Sequence, residues 1–176
     1  MIPKFRLLNQ LGAAAELDAY DAVVVTDDDI TLPAGFIDAY LARQFALGFS
    51  LAQPARAFHS FYDHRFTLQR PWCTARQTRF VEIGPVFSLT RDAYPLLLPF
   101  DEQSPMGWGY DYVWPAVLGA SGLRMGIIDA TPVDHSHRPQ GSAYSRNEHG
   151  QIMDRFLAER PHLRPREAMI TVRHHW

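Results

Sequence analysis

Lysine is almost absent from this sequence: Lys4 is the only one, and arginine carries every other fixed positive charge. Planar guanidinium forks suit phosphate and carboxylate, yet the bias by itself selects neither. Cysteine is equally scarce, and a lone Cys73 excludes both an internal disulfide framework and a cysteine-based zinc cluster. Net charge is small as well, formally -2 with a pI near 6.4, so no global basic field recruits nucleic acid. No apolar run approaches the roughly 20 residues of a membrane helix. Residues 1–6 lack the basic-then-apolar order of a signal peptide. The expectation is a cytoplasmic protein with no transmembrane segment. Disorder is excluded too: 47% of the 176 residues are hydrophobic and 20% charged, which suits one folded domain with its own core.

What is present is an alternation of strand and helix patterns, which predicts an α/β fold. Lys4 to Ala19 reads as a helix rich in alanine. Ala22 to Thr26 is a short β-branched run of the kind buried on both faces of a parallel sheet. A helix capped by Thr31 runs to Leu47, with Phe36, Ile37, Tyr40, Leu41 and Phe45 on its apolar face and Gly48 as its stop. Phe49 to Gln53 reads as a strand ended by Pro54, and Ala55 to Thr78 as a long irregular excursion. Phe80 to Leu89 is a strand broken at Gly84-Pro85, followed by a short helix capped by Thr90. A helix follows Trp108 to Asp111, and Leu123 to Ile128 is a further strand. Arg138 to Ser145 reads as a polar hinge before a last helix carrying Ile152, Met153, Phe156 and Leu157 inward. Residues 1–145 are therefore expected to form one domain, with 146–176 a C-terminal helix and tail that includes His174 and His175.

Four places could carry chemistry. Asp27, Asp28 and Asp29 end the first strand, on the sheet edge where α/β proteins bind ligands. Two carboxylates 4 to 6 Å apart repel by roughly 3 to 4 kcal/mol at an effective dielectric of about 20, and a hard divalent cation reverses that sign. A solvated turn capping the next helix is the competing reading. His135 and His137, two apart with Asp129 and Asp134 nearby, could join a metal site or touch phosphate, or merely decorate a polar loop. In Gly107-Trp108-Gly109-Tyr110-Asp111, two glycines let the chain turn and set an indole where a sugar could stack. Asp111 at a helix start could serve as a general base, or simply cap. Glu82 is a charge within an apolar strand, either functional or facing solvent.

Five stretches in this order resemble a glycosyltransferase of the GT-A type, and more closely a family of glycosyltransferase-like proteins of plants and bacteria. They are Val23 to Ile30 with the acidic triplet, Ser50-Leu51-Ala52-Gln53-Pro54, Val81 to Ser88, Trp108-Gly109-Tyr110-Asp111, and Gly126 to His135. The match spans roughly Tyr20 to His137. It implies a GT-A-like, Rossmann-related mixed sheet flanked by helices, and transfer of a sugar from a nucleotide-sugar donor to a carbohydrate or other hydroxyl acceptor. It also implies a Mn²⁺ or Mg²⁺ cofactor, and accommodates a homo-oligomer. The acidic triplet, Asp27, Asp28 and Asp29, would form the cofactor-binding motif, with Asp27 and Asp29 reaching the metal and the ribose-phosphate and His135 as the late metal or diphosphate ligand. Asp111 would face the acceptor, while Trp108, Gly109, Gln53 and Glu82 would line the sugar pocket. Fewer than 30 residues precede the triplet, so much of the nucleotide-binding half of such a fold is expected to be missing or supplied by a partner. A non-catalytic carbohydrate-binding or scaffold module, or a metal-dependent phosphoesterase using the same residues, are the alternative functions.

Overall fold

In the computed structural model, residues 2–137 and 146–176 are described. The predicted hinge, Arg138 to Ser145, lies outside them. The chain is α/β, with one six-stranded mixed sheet and helices on both faces. Its strands are β1 (Ala22–Thr26), β2 (Leu51–Arg56), β3 (Ala75–Thr78), β4 (Val86–Thr90), β5 (Met125–Val133) and β6 (Thr171–His175), in the spatial order β1-β4-β2-β5-β3-β6. Only β2 and β5 run parallel; the other neighbours are antiparallel.

Side chains alternate between two cores, as a pleated sheet covered on both faces requires. One core gathers Leu51, Phe87, Leu89 and Met125 under Phe5 of α1 (Lys4–Ala14), Leu97 of α3 (Tyr94–Leu97), Trp114 of α4 (Tyr110–Ala120) and Phe156 of α5 (Arg146–Ala158). On the opposite face, Ala52, Val86 and Ile128 pack against Phe36 and Tyr40 of α2 (Phe36–Leu47). A small cluster of Phe80, Tyr112 and Ala168 joins α4 to α6 (Pro165–Ala168).

Several expectations change. β1 is an edge strand paired antiparallel to β4, not an interior parallel strand; Val23 and Val24 are only half-buried. A β-branched run reports strand propensity but not which neighbours the strand finds. The buried stripe of α2 is Phe36, Tyr40 and Gln44, whereas Ile37 and Phe45 are exposed. Gln44 is admitted because its amide donates to the Phe49 carbonyl at 3.0 Å and its oxygen accepts from Ser88. The helix begins after Gly35 rather than at Thr31, which instead bridges to Asp134. Pro54 does not end β2, which continues to Arg56 with a register shift against β5.

The supposed excursion contains β3, and the supposed tail contains β6, which pairs with it. A buried ion pair ties the excursion down. Arg76 donates to both Asp129 oxygens at 2.9 Å and to the carbonyls of Phe66 and Leu68, and both side chains are wholly inaccessible. Asp129 is thereby committed to structure and does not join His135. No helix among the described residues is long and apolar enough to cross a membrane.

Candidate functional site

The strand expected over Phe80 to Leu89 forms only from Val86 onward, and that break builds the site. Pro85 has no N–H to continue a ladder, so the preceding backbone is satisfied by side chains instead. The Glu82 N–H donates to Gln53 Oε1 at 2.6 Å. The Ile83 carbonyl accepts from Lys4 Nζ at 3.0 Å, and the Gly84 carbonyl accepts from Arg56 Nη2 at 2.7 Å. Gln53, expected to touch substrate, is thus a buried strut that sets Glu82 in place.

A polar chain runs through this turn. Asp29 Oδ1 lies 3.4 Å from His135 Nε2, and His135 Nδ1 lies 3.3 Å from Arg56 Nη1. Arg56 in turn donates to Glu82 Oε2 through Nη2 at 2.7 Å and Nε at 3.3 Å. Arg56 and Glu82 are almost fully buried, and Asp29 and His135 nearly so. Since a guanidinium can only donate, His135 Nδ1 is the acceptor, and its Nε2 carries the hydrogen toward Asp29. His135 is held from behind as well, its backbone N–H donating to Ser60 Oγ at 2.9 Å. His137 takes another path, 2.6 Å from Thr31 Oγ1.

Asp27 does not share this chain. Its Oδ1 is 2.7 Å from Lys4 Nζ, and a Cβ at Gly84 would stand 2.7 Å from that ammonium and 3.2 Å from Asp27 Oδ2. Gly84 is therefore what leaves room for the Lys4–Asp27 pair. Asp28 is exposed beside them.

Asp111, in the first turn of α4, is buried together with Glu82. Burial, reinforced by the charge of Glu82, pushes its carboxyl up to about 7, against the pull of backbone N–H groups at the helix start. Asp111 Oδ1 and Glu82 Oε1 have no hydrogen-bond partner among the described residues. Trp108 is half-buried, with its ring 5.8 Å from that of His149 on α5. The flanking glycines do adopt positive φ, 88° at Gly107 and 98° at Gly109. Their lack of a side chain serves packing: Phe5 fills the space over Gly107, and Phe156, Met153 and Leu157 lie against Gly109.

The expected residues thus divide. Asp29, His135, Glu82 and Gln53 meet around Arg56, Asp111 feels Glu82, and Asp27 stands beside them on Lys4. Trp108 and Gly109 turn toward α5. No family model matches the chain, and a search of curated proteins finds no match.

Lys4 and Arg56 escaped the sequence reading. The uniqueness of Lys4 was visible but had no assigned partner, and Arg56 ends a strand whose six residues are all buried. A divalent cation fits these residues poorly as they stand. Asp27 is engaged by an ammonium, Asp29 faces an imidazole N–H, and the other nitrogen of that ring is taken by Arg56. Among the described residues no group of three or more His, Cys, Asp or Glu side chains surrounds a common point.

Proposed function

We propose that this chain is a glycosyltransferase domain of GT-A type, moving a sugar from a nucleotide-sugar donor to a hydroxyl acceptor. One observation carries the reading. Segments that resemble such enzymes but lie far apart in sequence contribute to a single polar chain, Asp29–His135–Arg56–Glu82, with Asp111 next to Glu82. A buried carboxyl held near pH 7 suits general acid–base work, because a group half-ionised at working pH both accepts and returns a proton effectively. In this reading Asp111 takes the proton of the acceptor hydroxyl, and its desolvated setting raises its basicity. The Glu82 charge favours the protonated form of Asp111. Arg56 and Lys4 supply positive charge where a diphosphate leaving group would develop negative charge.

Calorimetry with UDP and with GDP tests the assignment. Saturable binding is expected, and absence of heat with either nucleotide at millimolar concentration would sink it. Asp111→Asn separates an enzyme from a non-catalytic sugar-binding module: it should keep nucleotide binding and lose turnover.

A further inference from the structure

We propose that Lys4 is the site's own cation: its ammonium occupies at Asp27 the place a divalent metal would take, so that nucleotide-diphosphate binding needs no metal. The inference rests on the glycosyltransferase reading and deepens it. Each of the three inner carboxylates already has a basic partner: Asp27 has Lys4 at 2.7 Å, Glu82 has Arg56 at 2.7 Å, and Asp29 has His135 at 3.4 Å. Two of these bases also hold the same backbone turn, Lys4 on the Ile83 carbonyl and Arg56 on the Gly84 carbonyl. The ammonium therefore has a built seat of one carboxylate oxygen and one carbonyl oxygen, with Gly84 providing the space. Oxygen ligands of that kind are what a hard metal ion would use. Beside this seat, Glu82 Oε1 and Asp111 Oδ1 are buried with no hydrogen-bond partner among the described residues.

The ammonium has a different reach from a metal. It is tethered by α1, remains partly accessible at 23%, and carries three donors, of which Asp27 and Ile83 take two. The third can meet a phosphate oxygen without the pair dissolving. Arg56, by contrast, is buried with four of its five N–H groups already donating, so Lys4 is the group that a bound diphosphate would reach first.

The test combines two readouts on the whole chain. Isothermal calorimetry measures UDP and GDP binding in EDTA and in Mn²⁺, and electron paramagnetic resonance of free Mn²⁺ measures the metal alone. Wild-type protein should bind nucleotide in EDTA within about threefold of its affinity in Mn²⁺, and should leave the free Mn²⁺ signal unchanged. Lys4→Met should lose nucleotide affinity in EDTA by at least about tenfold and regain it with Mn²⁺, while gaining binding of Mn²⁺ itself. Lys4→Arg should resemble wild type, and Asp27→Asn added to Lys4→Met should cancel the Mn²⁺ gain. Gly84→Ala, whose methyl displaces the ammonium without removing it, should shift both readouts the same way. If EDTA abolishes nucleotide binding by the wild type, or Lys4→Met gains no Mn²⁺ affinity, the inference is wrong and the glycosyltransferase assignment stands. If neither nucleotide binds in either buffer, that assignment fails, and the Mn²⁺ signal of Lys4→Met still decides whether Lys4 holds a metal's place.

Discussion

Replacing Asp111 by asparagine should make the protein more stable at alkaline pH while removing the proposed catalytic group. Burial and the neighbouring Glu82 raise the Asp111 carboxyl from 3.8 to about 7. Between those two values the folded chain holds a proton that the unfolded chain has released. Stability from this group is therefore greatest below pH 4, falls as pH rises through the window, and is constant above about 7. A shift of about 3 units at about 1.4 kcal/mol each sets the total near 4 kcal/mol. Asparagine keeps an oxygen acceptor and never ionises. Urea unfolding of the variant should thus, if the two match at pH 5, exceed wild type by about 2–3 kcal/mol at pH 8. The measured quantity is the difference between the two stability–pH curves, so titrations shared by both proteins cancel. Parallel curves, or a variant less stable than wild type at pH 8, would refute the claim that Asp111 is a desolvated carboxyl beside a fixed charge.

Two further outcomes follow from the scaffold. Asp129→Ala strands the wholly buried Arg76 guanidinium, so chemical denaturation should show a loss of about 3–5 kcal/mol, whereas the double replacement Arg76→Met with Asp129→Leu should lose much less. Gly107→Ala combines a φ of 88° with overlap of the new methyl and the buried Phe5 ring, and should lower stability by about 2–4 kcal/mol in the same assay.

Much of the architecture was legible in the sequence because it depends on local pattern. The valines of β1, the extent of α4 and the inward side chains of α5 follow from period and propensity, and each element formed close to where the pattern put it. Pairing was not legible. Nothing in Ala22–Thr26 says that its neighbour is an antiparallel strand over 60 residues later, nor that Thr171–His175 closes the other edge by pairing with β3. Four-residue β3, whose sequence Ala75-Arg76-Gln77-Thr78 has no apolar alternation, is held by neighbours on both sides and by the Arg76–Asp129 pair rather than by its own propensity.

The site divides along the same line. Acidic residues after a strand and a carboxylate at a helix start are visible one segment at a time, so Asp27, Asp29, Glu82, Asp111 and His135 could be named in advance. Lys4 and Arg56 could not, because an ion pair between residues more than 20 apart leaves no spacing to read. Yet those partners determine what the acids can do. Three uncompensated carboxylates would draw a divalent cation, but Lys4 and Arg56 balance two of these, Asp29 faces the His135 N–H, and one ammonium stays partly accessible. The break at Gly84-Pro85 makes that balance possible. Had the strand continued, the carbonyls of Ile83 and Gly84 would have paired with a neighbouring strand, and neither Lys4 nor Arg56 would have had its second anchor. A single interruption in the ladder thus converts backbone acceptors into supports for two cations, and those cations are held at a sheet edge rich in carboxylates.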